Sequence, residues 1–138
     1  MAAEAKGAEK RLRVLVVRGS FAMLGGAERE LLQLLRNVDQ RWDVGLATLE
    51  FPERARSLIE GADIAVYSLD APFEWPSGAA AEVLASSSKK TAKAWKDVDI
   101  PFQNYDAVHL SVCPGTLEIL PRIPAGIPVH YHCLEPPR

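Results

Sequence analysis

The chain has 138 residues, of which 48% are hydrophobic and 25% charged, and its net charge is −2. This composition is typical of one soluble globular domain, and the small net charge gives no argument for a nucleic-acid partner. No apolar run approaches the roughly 20 residues that span a bilayer. Residues 1–10 lack the apolar segment of a secretory signal, so we expect a cytoplasmic protein with a disordered tail at 1–10 and one domain at 11–138.

The predicted elements alternate between strands and helices. In chain order we predict a strand at 12–17, a helix from Gly25 to Val38, a strand at 42–50, a short helix at 53–61, a strand at 62–69, a long helix at about 79–97, a strand at 105–112, one or two helical turns at 116–123, and a strand at 127–134. Short apolar runs joined by helices favour a Rossmann-like α/β fold, with a parallel sheet and helices on both faces.

The first predicted helix carries an apolar stripe that we expect to face the core. The stripe comprises Leu31, Leu32, Leu34, Leu35 and Val38. Two glycines, Gly25 and Gly26, begin this helix directly after the first strand and its loop. Glycine there allows a positive φ or a close approach of backbone to a ligand, but it also suits a simple turn.

Two known phosphate-loop patterns fail at these glycines. GxGxxG fails because Ser20 and Phe21 follow Gly19, and the P-loop pattern fails because it requires a lysine after its last glycine, where Ala27 stands. Two interpretations stay open, namely a structural turn and an anion site at a helix N-terminus.

Three segments resemble the N-terminal half of GT-B glycosyltransferases of the family-4 kind. They are GGAER at 25–29, YDAVHLS at 105–111 and EPPR at 135–138. The resemblance covers the chain from about Leu12 to its end. It implies the acceptor-side domain of a retaining enzyme that moves a sugar from a nucleotide-sugar donor to an acceptor.

The resemblance also implies roles for individual residues. Its glycine loop lies near the donor phosphates, so the two motifs indicate substrate or phosphate contacts at five residues: Gly25, Gly26, Arg29, Glu135 and Arg138. No cofactor or metal ion is expected beyond the nucleotide-sugar co-substrate. The acceptor is unidentified, and in many related transferases it is linked to a lipid.

Two departures from the family pattern bear on activity. Leu134 stands where the family has a histidine, and His132, two residues earlier on the same strand face, is the candidate replacement in a catalytic role. The C-terminal half with its Glu-x7-Glu motif is missing, so we expect the chain to be inactive unless a C-terminal domain or partner chain completes it. The competing hypothesis is a non-catalytic α/β binding or scaffold module.

The remaining chemistry-bearing residues have ordinary explanations beside functional ones. His109 is expected as a hydrogen-bonded core residue, and Cys113 and Cys133 as small buried thiols rather than a disulfide. Phe73 and Trp75 could line an acceptor site or fill the core edge. The lysines of the long helix fit a solvated face or peripheral contact with an anionic membrane; they are Lys89, Lys90, Lys93 and Lys96.

Overall fold

The computed structural model describes residues 11–39, 41–69, 72–73, 80–113 and 115–133. Its strands and helices are β1 (Leu12–Val17), α1 (Gly26–Arg36), β2 (Trp42–Ala47), α2 (Glu53–Arg56), β3 (Ala65–Tyr67), α3 (Ala80–Lys96), β4 (Ala107–Ser111) and β5 (Val129–His132). Short 3-10 helices lie at Ser57–Ile59, Phe102–Asn104 and Leu117–Arg122.

The five strands form one parallel sheet with the order β3-β2-β1-β4-β5. β1 is central, and Val14 is paired with both Val44 of β2 and Ala107 of β4. Val14 to Val17 are buried, as expected for a strand covered on both faces. The predicted Rossmann-like fold class is confirmed.

Helices cover both faces of this sheet. On one face, Val14 and Val16 pack with the buried leucines of α1 and with residues of the α2 region. On the other face, Leu15 and Val17 pack with Trp95 of α3 and Ile119 of the last 3-10 helix. The alternation of side chains along β1 therefore divides the core into two layers.

Leu34 was wrongly predicted to face the core. Leu31, Leu32 and Leu35 are buried, but Leu34 is 59% exposed. The buried positions i, i+1 and i+4 define a narrower face of α1 than the sequence stripe indicated.

The predicted burial of the two cysteines was also wrong. Cys113 is half-buried and Cys133 is exposed. Cys133 directly follows β5, an edge strand whose last three residues are exposed. Within the described ranges, no helix is long and apolar enough to cross a membrane.

Candidate functional site

The loops after β1 and β4 meet at the carboxyl edge of the sheet. β1 is followed along the chain by β2 on one side, whereas β4 is followed by β5 on the other. The strand order therefore reverses between the parallel neighbours β1 and β4, and ligands of doubly wound sheets bind in the crevice at such a point. The Gly25–Gly26 pair follows β1, as the sequence predicted, and Gly115 follows β4.

Arg18, the first residue after β1, is the buried charge of this crevice. It is 5% exposed. One terminal nitrogen, Nη1, donates to Ser111 Oγ at 2.9 Å, and Nη2 donates to Glu28 Oε1 at 2.8 Å. Arg18 Nε is buried and has no hydrogen-bond partner in the described part of the chain. A buried guanidinium requires such compensation, and here one of its donors is left unsatisfied.

Gly25 precedes the first turn of α1 without a left-handed backbone. Its φ is −81° and its ψ is −167°, and its carbonyl accepts from Arg29 N at 3.1 Å. The positive φ considered for the glycine pair is therefore wrong, since only Gly61, Gly115 and Gly126 adopt one among the described residues. Among the described residues, no side chain at the position of Gly25 caps this helix, so its first-turn amides lack a capping hydrogen bond.

Gly26 is not required by the fold. Apart from its chain neighbours and its own helix backbone, a Cβ built on Gly26 meets no atom of the described residues within 4 Å, and the residue is exposed and helical. Alanine would therefore fit there and would favour the helix more than glycine does. Bare backbone at this position leaves room for a ligand to approach the amides, so the anion site and the structural turn both stay open as interpretations.

Hydrogen bonds from the neighbouring strand ends fix the β1–α1 loop. Gly19 N donates to Thr116 Oγ1 at 2.8 Å, and Ser20 Oγ donates to Glu50 Oε1 at 2.9 Å. Thr116 Oγ1 in turn donates to Ser111 O at 3.1 Å. The loop that presents Gly25 is thus anchored on both β2 and β4 sides and is preorganised.

Arg29 makes a local contact in this structure. Its Nε donates to Leu24 O at 3.2 Å, and the side chain is exposed. This hydrogen bond holds the end of the loop against the helix. The predicted phosphate contact of Arg29 stays a prediction.

A cavity of about 580 Å³ opens beside the loop, at the carboxyl ends of β2 and β3. Its walls include apolar Leu49, Phe51 and Leu69 together with charged Glu50 and Arg56. The Arg56 guanidinium lies 5.0 Å from the centre of the Phe51 ring. The volume lies within the range of small-molecule sites, roughly 300–1,000 Å³.

The three histidines lie together on β4 and β5. His109 Nδ1 is 2.9 Å from His130 Nδ1, and the His132 ring centre is 5.8 Å from that of His109. Burial, followed by the two neighbouring imidazoles, lowers the pKa of His109. His109 is half-buried, so the expected hydrogen bond is present but the expected core position is not.

His132 lies at the end of β5, paired in register with Ser111. Ser111 binds Arg18, so the sheet brings His132 to the same edge as the buried guanidinium. Across the described ranges, no three histidine, cysteine or acidic side chains are arranged to hold a metal ion.

Several predicted residues lie outside the described ranges. They are Leu134, Glu135 and Arg138 of the C-terminal motif, and Trp75 of the loop before α3. Phe73 lies within the described ranges and is buried in the core. It therefore fills the core rather than lining an acceptor site.

Arg18, Ser111 and Thr116 were missed in the sequence. Arg18 and Ser111 are 93 residues apart, and only the pairing of β1 with β4 brings them together. One signal was available, because a charged residue directly after an apolar run in a parallel sheet lies at the ligand-binding edge.

Comparison with known proteins gives a limited result. No family model matches the chain, and no curated protein matches it. A solved structure that is similar to it is a ugt transferase from Siraitia grosvenorii in complex with UDP, with a TM-score of 0.49 and 17% identity. The alignment covers 87% of this chain and 27% of that one, so the chain spans about a quarter of the neighbour's length. A likeness at this level assigns neither substrate nor reaction to this chain.

Proposed function

We propose that this chain is the acceptor-side N-terminal domain of a retaining glycosyltransferase that moves a sugar from a nucleotide-sugar to an acceptor. The observation that carries the proposal is Gly26, whose lack of a side chain is not required by contacts with any of the described residues. Together with the buried Arg18 at the same crevice, it fits a phosphate of the donor approaching the N-terminus of α1.

In this proposal the crevice stabilises the charge that develops on the departing phosphate. The first-turn amides of α1 donate to its oxygens, and Arg18 supplies a positive charge whose position is fixed by Ser111. Preorganised donors of this kind often make the largest contribution to catalysis. In this proposal His132, at the neighbouring strand end and two residues before Leu134, replaces the family histidine.

The cavity beside Phe51 and Leu69 is the proposed acceptor site. Carboxylate and guanidinium groups there suit hydroxyl recognition, while the apolar wall suits a ring or hydrocarbon face. Base and sugar recognition belong, in this proposal, to a C-terminal half on the same or a partner chain. The proposal also includes peripheral contact with an anionic membrane, through the exposed side chains of Lys89 and Lys93 on α3.

Binding of nucleoside diphosphates tests the phosphate site. We expect UDP, GDP or ADP to shift amide resonances of residues 18–29 and 111–116 in a nuclear magnetic resonance titration. Gly26→Ala should weaken this binding about tenfold by blocking the amides, without lowering thermal stability. Gln33→Ala, an exposed change two turns along α1, is the matched control.

Two results would contradict the proposal. If the parent chain and Gly26→Ala bind nucleoside diphosphates equally well, the glycine pair is a structural turn and not a phosphate site. An absence of binding by every nucleotide would favour the non-catalytic binding or scaffold module. We also expect no transfer when the chain alone is incubated with a nucleotide-sugar panel, and turnover would contradict the need for a second half.

A further inference from the structure

The acidic residue in the first turn of α1 is held by the buried arginine. Glu28 Oε1 lies 2.8 Å from Arg18 Nη2, and the two side chains are only 15% and 6% exposed. Such a pair is enclosed rather than solvated, and it is therefore less screened than a surface salt bridge. The Arg18–Glu28 pair links the end of β1 to the start of α1.

The second carboxylate oxygen of Glu28 turns back toward the N-terminus of the helix. Glu28 Oε2 would lie 3.1 Å from a Cβ placed on Gly25, which puts it beside the residue that precedes the first turn. A carboxylate there benefits from the positive end of the helix dipole. It therefore lies in the space that attracts an external anion.

We propose that Glu28 is an internal competitor for the donor phosphate. This inference rests on the proposed function. In the unliganded domain the Glu28 carboxylate occupies the region between Arg18 and the α1 N-terminus. Binding of a diphosphate displaces this carboxylate, and Arg18 Nη2 then donates its hydrogen bond to a phosphate oxygen.

The hydrogen bonds of Arg18 fit such an exchange of partner. Ser111 Oγ holds Nη1, so the guanidinium keeps its place when Glu28 leaves. Nε is unsatisfied while Glu28 is bound, and an anion with several oxygens can satisfy Nη2 and Nε together. A phosphate thus supplies Arg18 with two hydrogen-bond acceptors, whereas Glu28 supplies one.

Inorganic pyrophosphate is the probe for this inference, because it carries the phosphate chemistry without a base or sugar. Glu28→Gln keeps an oxygen for Arg18 and removes the competing charge, so pyrophosphate should bind about tenfold more tightly to this variant. Glu30→Gln, an exposed glutamate on the same helix, changes the net charge equally and should shift affinity by less than about twofold. Binding is measured by calorimetry at constant ionic strength.

A second measurement needs no variant. The Arg18 Nε–H resonance of the parent chain should move on adding pyrophosphate, because this donor gains an acceptor. Unchanged or weaker binding by Glu28→Gln, with the parent chain binding, would overturn the competitor role and leave the phosphate site in place. Equal gains in Glu28→Gln and Glu30→Gln would overturn it as well. Failure of pyrophosphate to bind any of the three proteins would overturn the phosphate site itself.

Discussion

Gly45 in β2 lies directly beneath the Tyr105 side chain. A Cβ on Gly45 would overlap the Tyr105 hydroxyl and lie 2.8 Å from its Cζ. The same hydroxyl is hydrogen-bonded to Tyr67 at 2.8 Å, so the ring is held in place. Glycine at this residue is therefore a packing requirement, in contrast to Gly26.

We predict that Gly45→Ala lowers the free energy of unfolding by about 1–3 kcal/mol, since the ring or the strand must shift. Urea denaturation measures this loss, with Gly26→Ala as the control that should show none. A Gly45→Ala midpoint equal to that of the parent chain would contradict the packing requirement.

The histidine pair of β4 and β5 predicts a pH dependence of stability. The pKa of His109 is lowered in the folded chain from an ordinary value of 6.5, first by burial and then by His130 and His132. The unfolded chain therefore binds a proton at His109 more readily, and stability should fall as the pH drops through about 6.5 and below.

We expect the free energy of unfolding to be smaller at about pH 5.5 than at about pH 7.5. His109→Gln should reduce this difference, because the group with the lowered pKa is removed. Urea denaturation at both pH values checks this. An undiminished difference in the variant would assign the effect to other groups.

At this scale the sequence identified local features and missed distant ones. GGAER could be recognised because its residues are consecutive, and its position at the N-terminus of α1 was predicted. Arg18 could not be paired with Ser111, since that contact depends on the neighbour that β1 takes in the sheet. The exposure of Leu34 was missed because an apolar stripe does not say how wide a face the sheet covers.

Among the elements, α3 is fixed to the sheet through Trp95. This side chain is fully buried, and its Nε1 donates to Gly115 O at 2.7 Å. Arg122 adds a second connection, donating from Nη1 to the carbonyls of Trp95 and Val98. The end of α3 and the turn after β4 therefore form one packed unit beside the candidate site.

We predict that Trp95→Ala costs about 3–5 kcal/mol, because it leaves a large cavity and an unsatisfied carbonyl. Leu34→Ala on the exposed side of α1 should change stability by less than about 0.5 kcal/mol. Thermal denaturation compares the two variants. A similar loss in both would contradict the assignment of Trp95 to the core.

β2 and β3 are shorter than the sequence predicted. β2 ends at Ala47 and β3 spans Ala65–Tyr67, whereas the predicted strands ran to residue 50 and over residues 62–69. After Ala47, Thr48 N still donates to Tyr67 O of β3, whereas Leu49 N donates to Gly19 O and Glu50 O accepts from Phe21 N, both in the β1–α1 loop. Apolar content alone does not separate a strand from the buried loop that continues it.

Across the whole molecule, stability should decrease from the centre of the sheet to its edges. β1 is paired on both sides and buried, whereas β5, within the part of the chain that the structure describes, is paired with β4 alone and is largely exposed. We therefore predict that amides of β1 exchange with solvent much more slowly than those of β5. Hydrogen exchange followed by nuclear magnetic resonance measures this, and equal protection would contradict the described edge.

The central place of β1 also has a consequence for biosynthesis. Of the five strands of this sheet, the ribosome makes β1 before the others, yet one of its two neighbours, β4, is made some ninety residues later. Until then the edge of β1 that pairs with β4 is unprotected, and it can pair wrongly or bind a chaperone. The crevice at the ends of β1 and β4 can therefore form only late in synthesis, after the β1–β2–β3 half has emerged.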